Sequence, residues 1–215
     1  MVRSRAVATD PLPRLYQDPW LLVVEKPAGL LCQPGLGPDL ADSLITRLQR
    51  QEPTLALVHR LDRDTSGVLL LARTPEALAA FSRLFAERRV QKLYGADLCL
   101  PPPGRAGCVE GPLARIQRNP PRYGFHPQGR ASCTRWRRVK RSGTPPRLWL
   151  QPLTGRSHQL RAHLASLGCP ILGDPIYAAD HPPAASGRMH LHAAALSLRH
   201  PFTGQRLRCR SALPF

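Results

Sequence analysis

The sequence has no apolar run approaching the roughly 20 residues that cross a bilayer. Its opening, "MVRSRAVATDPLPRL", has no apolar stretch of the kind a secretory signal carries. Six cysteines are present but none forms a C-x-x-C pair, which argues against a zinc site coded by spacing. Without a secretory signal they read as reduced thiols of a cytoplasmic protein. "PGLG" is not followed by G-K-[ST], so it is not a phosphate-cradling loop. G-x-S-x-G is missing, so adjacent Ser157 and His158 do not read as a hydrolase pair, and Ser157 is better taken as a helix cap. The H-x-E and P-C-x-x-C pair of zinc deaminases is also missing. Internal repeats and low-complexity linkers are absent.

Acidic residues are scarce too. Aspartate and glutamate number 14 against 31 lysines and arginines, a formal net charge of +17. Lysine occurs only at positions 26, 92 and 140, so the charge is almost all guanidinium. Arginine forks suit phosphate oxygens and stack on bases, which makes a polyanion, and nucleic acid first, the expected partner. A biased base composition would also enrich arginine, alanine, proline and glycine, so charge alone names a class of partner and not a task.

The 215 residues suit one domain with a short arm, with 42% apolar residues to supply a core. We divide the chain into an N-terminal arm, 1–14, and one domain, 15–215. "WLLVVE" predicts a strand ended by the turn "KPAG". Leu40, Leu44, Ile45 and Leu48 recur at helical spacing between Asp39 and Gln51. "VLLLAR" predicts a buried strand, after which Thr74 and Pro75 open a helix with Leu78, Phe81, Leu84 and Phe85 on its apolar face. "KLYGADLCL" is a strand stopped by prolines 101–103. Hairpins and loops are expected over 104–146, including "CTRWRRV", and then a strand, "RLWLQPL". "GRSHQLRAHLASLG" predicts a helix stopped by Gly168 and Pro170. "MHLHAAALSL" alternates as a strand and ends at the turn "HPFTG"; His190 and His192 there are expected to be packed or hydrogen-bonded. Strands and helices without regular βαβ alternation predict an α+β fold.

The densest chemistry lies in "HRLDRDTSG", residues 59–67. Asp62 and Asp64 are either a solvated turn or a carboxylate pair held for chemistry, and their spacing does not separate the two. Three segments, in order and spacing, do more: "HRLDRDTSGVLLLA", "KLYGA" and "GRSHQLRAHLASLGCPILGDPIY". Together they resemble the three signatures of RluA-type pseudouridine synthases. "YQDPWLLVVEKPAGLL" and "LHAAALSLRHPFTG" are similar to that family as well, so the likeness runs from about Leu15 to the C-terminus. Two departures are Ala178, where the family usually has glycine, and Gln33, near which many members have a histidine. About 15 residues precede the first strand, which makes the chain most similar to the short subgroup without an N-terminal RNA-binding domain.

The resemblance implies a mixed, mostly antiparallel sheet with flanking helices and a catalytic cleft. It also implies isomerisation of uridine to pseudouridine in structured RNA, in stem-loops of 23S ribosomal RNA and the tRNA anticodon arm. It assigns catalysis to Asp62, Tyr94 and Arg161, with Asp64 a loop residue. Arg60 would fill the space of a flipped base, and His59, Lys92 and the arginine-rich stretch 115–141 would contact RNA. No metal, organic cofactor, membrane or obligate protein partner is implied. A non-catalytic RNA-binding or ribosome-assembly protein that kept the fold is one rival, which would have no need of all three catalytic residues; an RNA N-glycosylase that stops after cleavage is another, which would release free uracil.

Overall fold

Two neighbouring strands are apolar on both faces, and the rest of the molecule is arranged to cover them. A computed structural model describes residues 12–140 and 145–215. The arm expected over 1–14 lies, as far as residue 11, outside the described residues, as does Arg141. Strands β1 (Arg14–Gln17) and β2 (Leu21–Lys26) are followed by helix α1 (Leu44–Gln49), β3 (Ala56–Leu57) and β4 (Ser66–Ala72). Helix α2 (Pro75–Ala86) leads to β5 (Gln91–Asp97), then β6 (Ala106–Gln117), β7 (Arg122–Phe125), β8 (Arg130–Arg138) and β9 (Arg147–Pro152). Helix α3 (Gln159–Ser166), β10 (Leu191–Arg199) and β11 (Arg206–Arg210) complete the chain.

The eleven strands of the described residues join one sheet, in the order β1-β2-β4-β10-β5-β9-β8-β6-β7, with β3 on β4 and β11 on β10. Every pairing is antiparallel except β4 with β10. The fold is α+β with a mixed, mostly antiparallel sheet.

In β2, Leu21 and Val23 face α2 while Leu22 and Val24 face α1. In β4, Val68 and Leu70 join the first set, and Leu69 and Leu71 the second. Burial of both faces explains an unbroken apolar run where a half-exposed strand would alternate. A third cluster packs Leu148, Leu150 and Trp136 against Leu160 and Leu164 of α3. Tyr94 on β5 touches both the second and the third cluster, at the seam between the halves of the sheet.

Helix α2 begins as its sequence predicts. The Thr74 side chain accepts from the Ala77 amide at 3.1 Å, and Pro75 occupies the first turn. The other two helices are shorter than expected. Ser43, extended at φ −153°, forms a reciprocal capping box with Thr46, so α1 starts at Leu44, and Leu40 sits in a separate 3-10 turn, 40% exposed. Leu40 matched the helical spacing but lies outside the helix that the cap defines. Helix α3 starts at Gln159 because His158 is left-handed, at φ 52°. Ser157 is therefore not its cap. Helix α3 has no side-chain cap; the Gln159 side chain instead ties the preceding loop to the sheet, accepting from the Arg156 amide at 3.0 Å and donating to the Cys133 carbonyl at 3.0 Å. Both strand-region histidines are buried and bonded as expected: His190 to Asp97 and Ser186, His192 to Ser66 and Ser211.

Candidate active site

Residues 58–65 leave β3 and return as β4, and this loop is pinned from three sides. Lys26, wholly buried, donates to the carbonyls of Pro27 (2.8 Å), Leu30 (2.7 Å) and Arg63 (2.8 Å). An ammonium has three protons, and here each meets one carbonyl. Burial pushes the Lys26 pKa down to about 8, so below that pH the set is complete. Cys32 bonds the backbone of Leu61 at 3.3 Å, and the Thr65 amide donates to the Asp62 carbonyl at 3.1 Å. At the strand start, Gly67 has φ +116°, and any Cβ there would collide with the backbone of Ala193 on β10. The turn itself lies at Arg63 and Asp64, while Ser66 and Gly67 belong to β4, and it is Gly67 that lets β4 approach β10 closely enough to pair in parallel.

The loop presents Asp62 to a cavity of about 510 Å³, within the roughly 300–1,000 Å³ of small-molecule sites and roomy enough for one nucleotide. All six residues singled out from the sequence line it: His59, Arg60, Asp62, Lys92, Tyr94 and Arg161. They come from the loop, from β5 and from α3, which the sheet order brings to one place. Asp64 does not line it; its carboxylate pairs with Arg63 at 3.2 Å.

Arg161 Nη1 donates to Asp62 Oδ2 at 3.4 Å. Its Nε and Nη2 donate to the two oxygens of Asp174, at 2.7 and 2.9 Å. Asp174, with no exposed side chain, also accepts from the amides of Ile176 (2.9 Å) and Tyr177 (3.0 Å). The Tyr177 ring lies 5.1 Å from the guanidinium carbon. Burial opposes the charge of Arg161, but Asp174 and then Asp62 outweigh it, and its pKa is raised. The cation is held rigidly by Asp174 and offers its remaining edge to Asp62. Asp62 keeps 30% of its side chain exposed and is the open end of the chain of charges. Among the described residues its Oδ1 accepts no hydrogen bond.

Tyr94 is half-buried beside it. Burial, then the charge of Asp62, push its phenol pKa well up, so the hydroxyl is protonated at neutral pH. Lys92 donates to the Thr154 carbonyl at 3.2 Å, and burial lowers its pKa. Arg60 is exposed at the rim and makes no hydrogen bond or ion pair among the described residues. His59 lines the cavity but is committed to the protein. Its ring stacks on Phe85 at 4.5 Å, Nε2 accepts from the Leu70 amide at 3.1 Å, and burial pushes its pKa down to about 3. A neutral imidazole so committed anchors the loop and is not a phosphate-binding cation. Sequence reasoning missed Asp174 and Lys26. For Asp174 there was a signal: an arginine on a helix face otherwise apolar needs a buried acid.

The family model for RNA pseudouridylate synthase matches residues 20–166. The chain belongs to the RNA pseudouridylate synthase family. The dual-specificity RNA pseudouridine synthase RluA of Escherichia coli (strain K12) is 39% identical over 203 residues, covering 94% of this chain and 93% of that protein. The protein of the same name from Yersinia pestis is 40% identical over 192 residues, with 88% and 93% covered. Among solved structures, human RNA pseudouridylate synthase domain containing 1 superposes with a TM-score of 0.78 at 27% identity, covering 99% of this chain and 87% of that one. This pseudouridylate synthase is therefore of the RluA type, as its three sequence segments imply.

Proposed function

We propose that the cavity takes a uridine flipped out of folded RNA and returns it as pseudouridine, with Asp62 as the catalytic carboxylate. The reaction breaks the bond from ribose C1′ to uracil N1 and forms one from C1′ to C5. A proton leaves C5 and one is gained at N1, so the change is an isomerisation and needs neither an oxidant nor a phosphoryl donor. Asp62 acts on the sugar, as nucleophile at C1′ or as base toward the ribose in a glycal route. Oδ2 is held by Arg161, and Oδ1 is the free oxygen that faces the sugar.

Tyr94 stacks on the uracil and handles the C5 proton. Because its hydroxyl is protonated, it accepts that proton only by passing on its own. Arg60, uncommitted at the rim, occupies the space the base vacates, and its planar cation stacks and meets phosphate together. Lys92 and the exposed arginines of β6 to β8 bind the backbone.

The observation that carries this reading is Asp62: an exposed carboxylate oxygen in a nucleotide-sized cavity, with a doubly anchored arginine behind it. Structured ribosomal RNA, tRNA anticodon stem-loops or both are the substrates that fit a chain so similar to dual-specificity relatives, and the cytoplasm is where those RNAs meet it. Asp62→Asn tests the assignment. Pseudouridine formation in a tRNA anticodon stem-loop and in a 23S stem-loop should vanish, while RNA affinity changes less than about threefold, since one carboxylate among so many arginines contributes little to the long-range field. Asp64→Asn should stay active. Normal turnover by Asp62→Asn would show that another group does the chemistry.

A further inference from the structure

Two thiols and a carboxylate meet on the outer face of the sheet, away from the cavity. Cys108 Sγ lies 3.3 Å from Cys133 Sγ, and Glu110 Oε1 lies 3.5 and 3.2 Å from the two sulfurs. Cys108 and Glu110 are two residues apart on β6 and share a face. Cys133 sits on β8, directly opposite Glu110, while Cys108 stands opposite Arg135. We propose that Cys108, Glu110 and Cys133 form a binding site for a thiophilic divalent cation of the zinc class, with a fourth position open to solvent.

The alternative for two close sulfurs is a disulfide, and the register argues against it. Cys108 and Cys133 are diagonal neighbours, and such positions have backbones about 7–8 Å apart. That exceeds the usual separation of a disulfide, up to about 6.8 Å between Cα atoms. A metal ion widens the span by a bond on each side. Zinc bonds of about 2.3 Å to sulfur and about 2.0–2.2 Å to a carboxylate oxygen, at tetrahedral angles, set the donor atoms roughly 3.5–3.8 Å apart. The observed spacings of 3.2 to 3.5 Å reach those values by small side-chain rotations. Two thiolates with one carboxylate also suit a soft d¹⁰ ion better than magnesium or calcium, which prefer oxygen. Arg135 stands beside Glu110 and works against a cation, so three ligands give a moderate affinity and not the closed site of a zinc finger.

The donors are preorganised. They stand on paired strands, and the Cys133 backbone is held on both sides: its amide donates to Thr154 Oγ1 (3.0 Å), and its carbonyl accepts from Leu153 N (3.0 Å) and Gln159 Nε2 (3.0 Å). Thr154 and Gln159 line the cavity. A cation on Cys133 therefore fixes the strand from which part of the cavity wall hangs.

Binding replaces two S–H protons, so two protons leave for each ion bound. Reduced full-length protein, titrated with Zn²⁺ against a chromophoric chelator, should take up one equivalent at about 1 μM or tighter. Two protons should be released, and the melting temperature should rise with free zinc. Cys108→Ser and Cys133→Ser should each lose at least about 100-fold in affinity, and Glu110→Gln about 10-fold. Cys99→Ser should bind as the parent does. Glu110→Gln keeps size and both thiols, so it reads the site even if a cysteine variant folds poorly. Three results overturn the proposal: no uptake by the reduced protein, uptake undiminished in all three variants, or closure to a Cys108–Cys133 disulfide in air by a protein that takes up no zinc.

Discussion

Arg161 shows how a single buried side chain transmits order to a partly exposed one, Asp62. Three of its donors are engaged, two of them by Asp174, so its position is set by a residue that never reaches the cavity. Removing one partner of a buried pair leaves an uncompensated charge, which costs about 3–5 kcal/mol. Asp174→Asn keeps the volume and loses the charge. It should lower stability by that amount in urea unfolding, and the folded fraction should show a lower kcat with little change in KM, because Asp62 loses its fixed neighbour and the RNA-facing arginines do not. Tyr94→Phe separates stacking from proton transfer. It should still bind RNA, while tritium release from RNA labelled at uridine C5 falls about 10²-fold or more. Release at the parent rate would reduce Tyr94 to a stacking surface.

At the scale of elements, the loop that carries Asp62 is positioned by its two ends. Lys26 gathers three carbonyls beneath it, and Gly67 lets β4 lie against β10. Lys26→Met leaves buried carbonyls without donors, at about 1–3 kcal/mol for each that water does not reach. Its signature should be local: amide exchange in 58–65 should quicken and turnover should drop further than global stability does. Gly67→Ala sets a Cβ against backbone at a φ that disfavours side chains. It should destabilise the whole sheet by about 3 kcal/mol, near the upper end for point substitutions, read as a lower urea midpoint with an unchanged slope.

The whole molecule has buried neutral histidines under a surface of arginines. Burial pushes His59 down to about 3, and His163 and His192 to about 4. Their partners explain why a second ring proton is unwelcome. Ser132 Oγ donates to the Gly111 carbonyl and so accepts from His163 Nε2, which leaves His163 Nδ1 to accept from Thr134. In the unfolded chain all three titrate near 6.5, so there they bind protons that the native state refuses. Their contribution is complete above pH 6.5 and is lost as pH falls toward 4, at up to about 1.4 kcal/mol per pH unit for each. The urea midpoint should fall markedly between pH 7.5 and 5.5; an unchanged midpoint would mean the rings take up protons in place. The net charge of +17 makes its own demand. RNA affinity should drop at least about tenfold between 50 and 200 mM salt as counterions are released on binding, and Arg→Ala changes on β6 to β8 should weaken affinity and flatten that slope without altering the chemical step.

What the sequence determined by itself was whatever depends on neighbours along the chain. The double-faced apolar run of β4, the Thr74–Pro75 helix start and the turn after β2 are local, and each appears where its residues require. The order and spacing of three segments were enough to identify the family and to single out Asp62, Tyr94 and Arg161, which line one cavity. Spacing overreached where a local cap or backbone twist intervened, as at Ser43 and at left-handed His158. Tertiary structure alone decided which distant groups meet. Asp174 stands 13 residues from Arg161, and Lys26 stands 37 from Arg63. Cys108 and Cys133 are 25 apart, with no spacing motif between them. These contacts are set by sheet register and by the parallel join of β4 to β10, and register is a property of paired strands that no single strand carries.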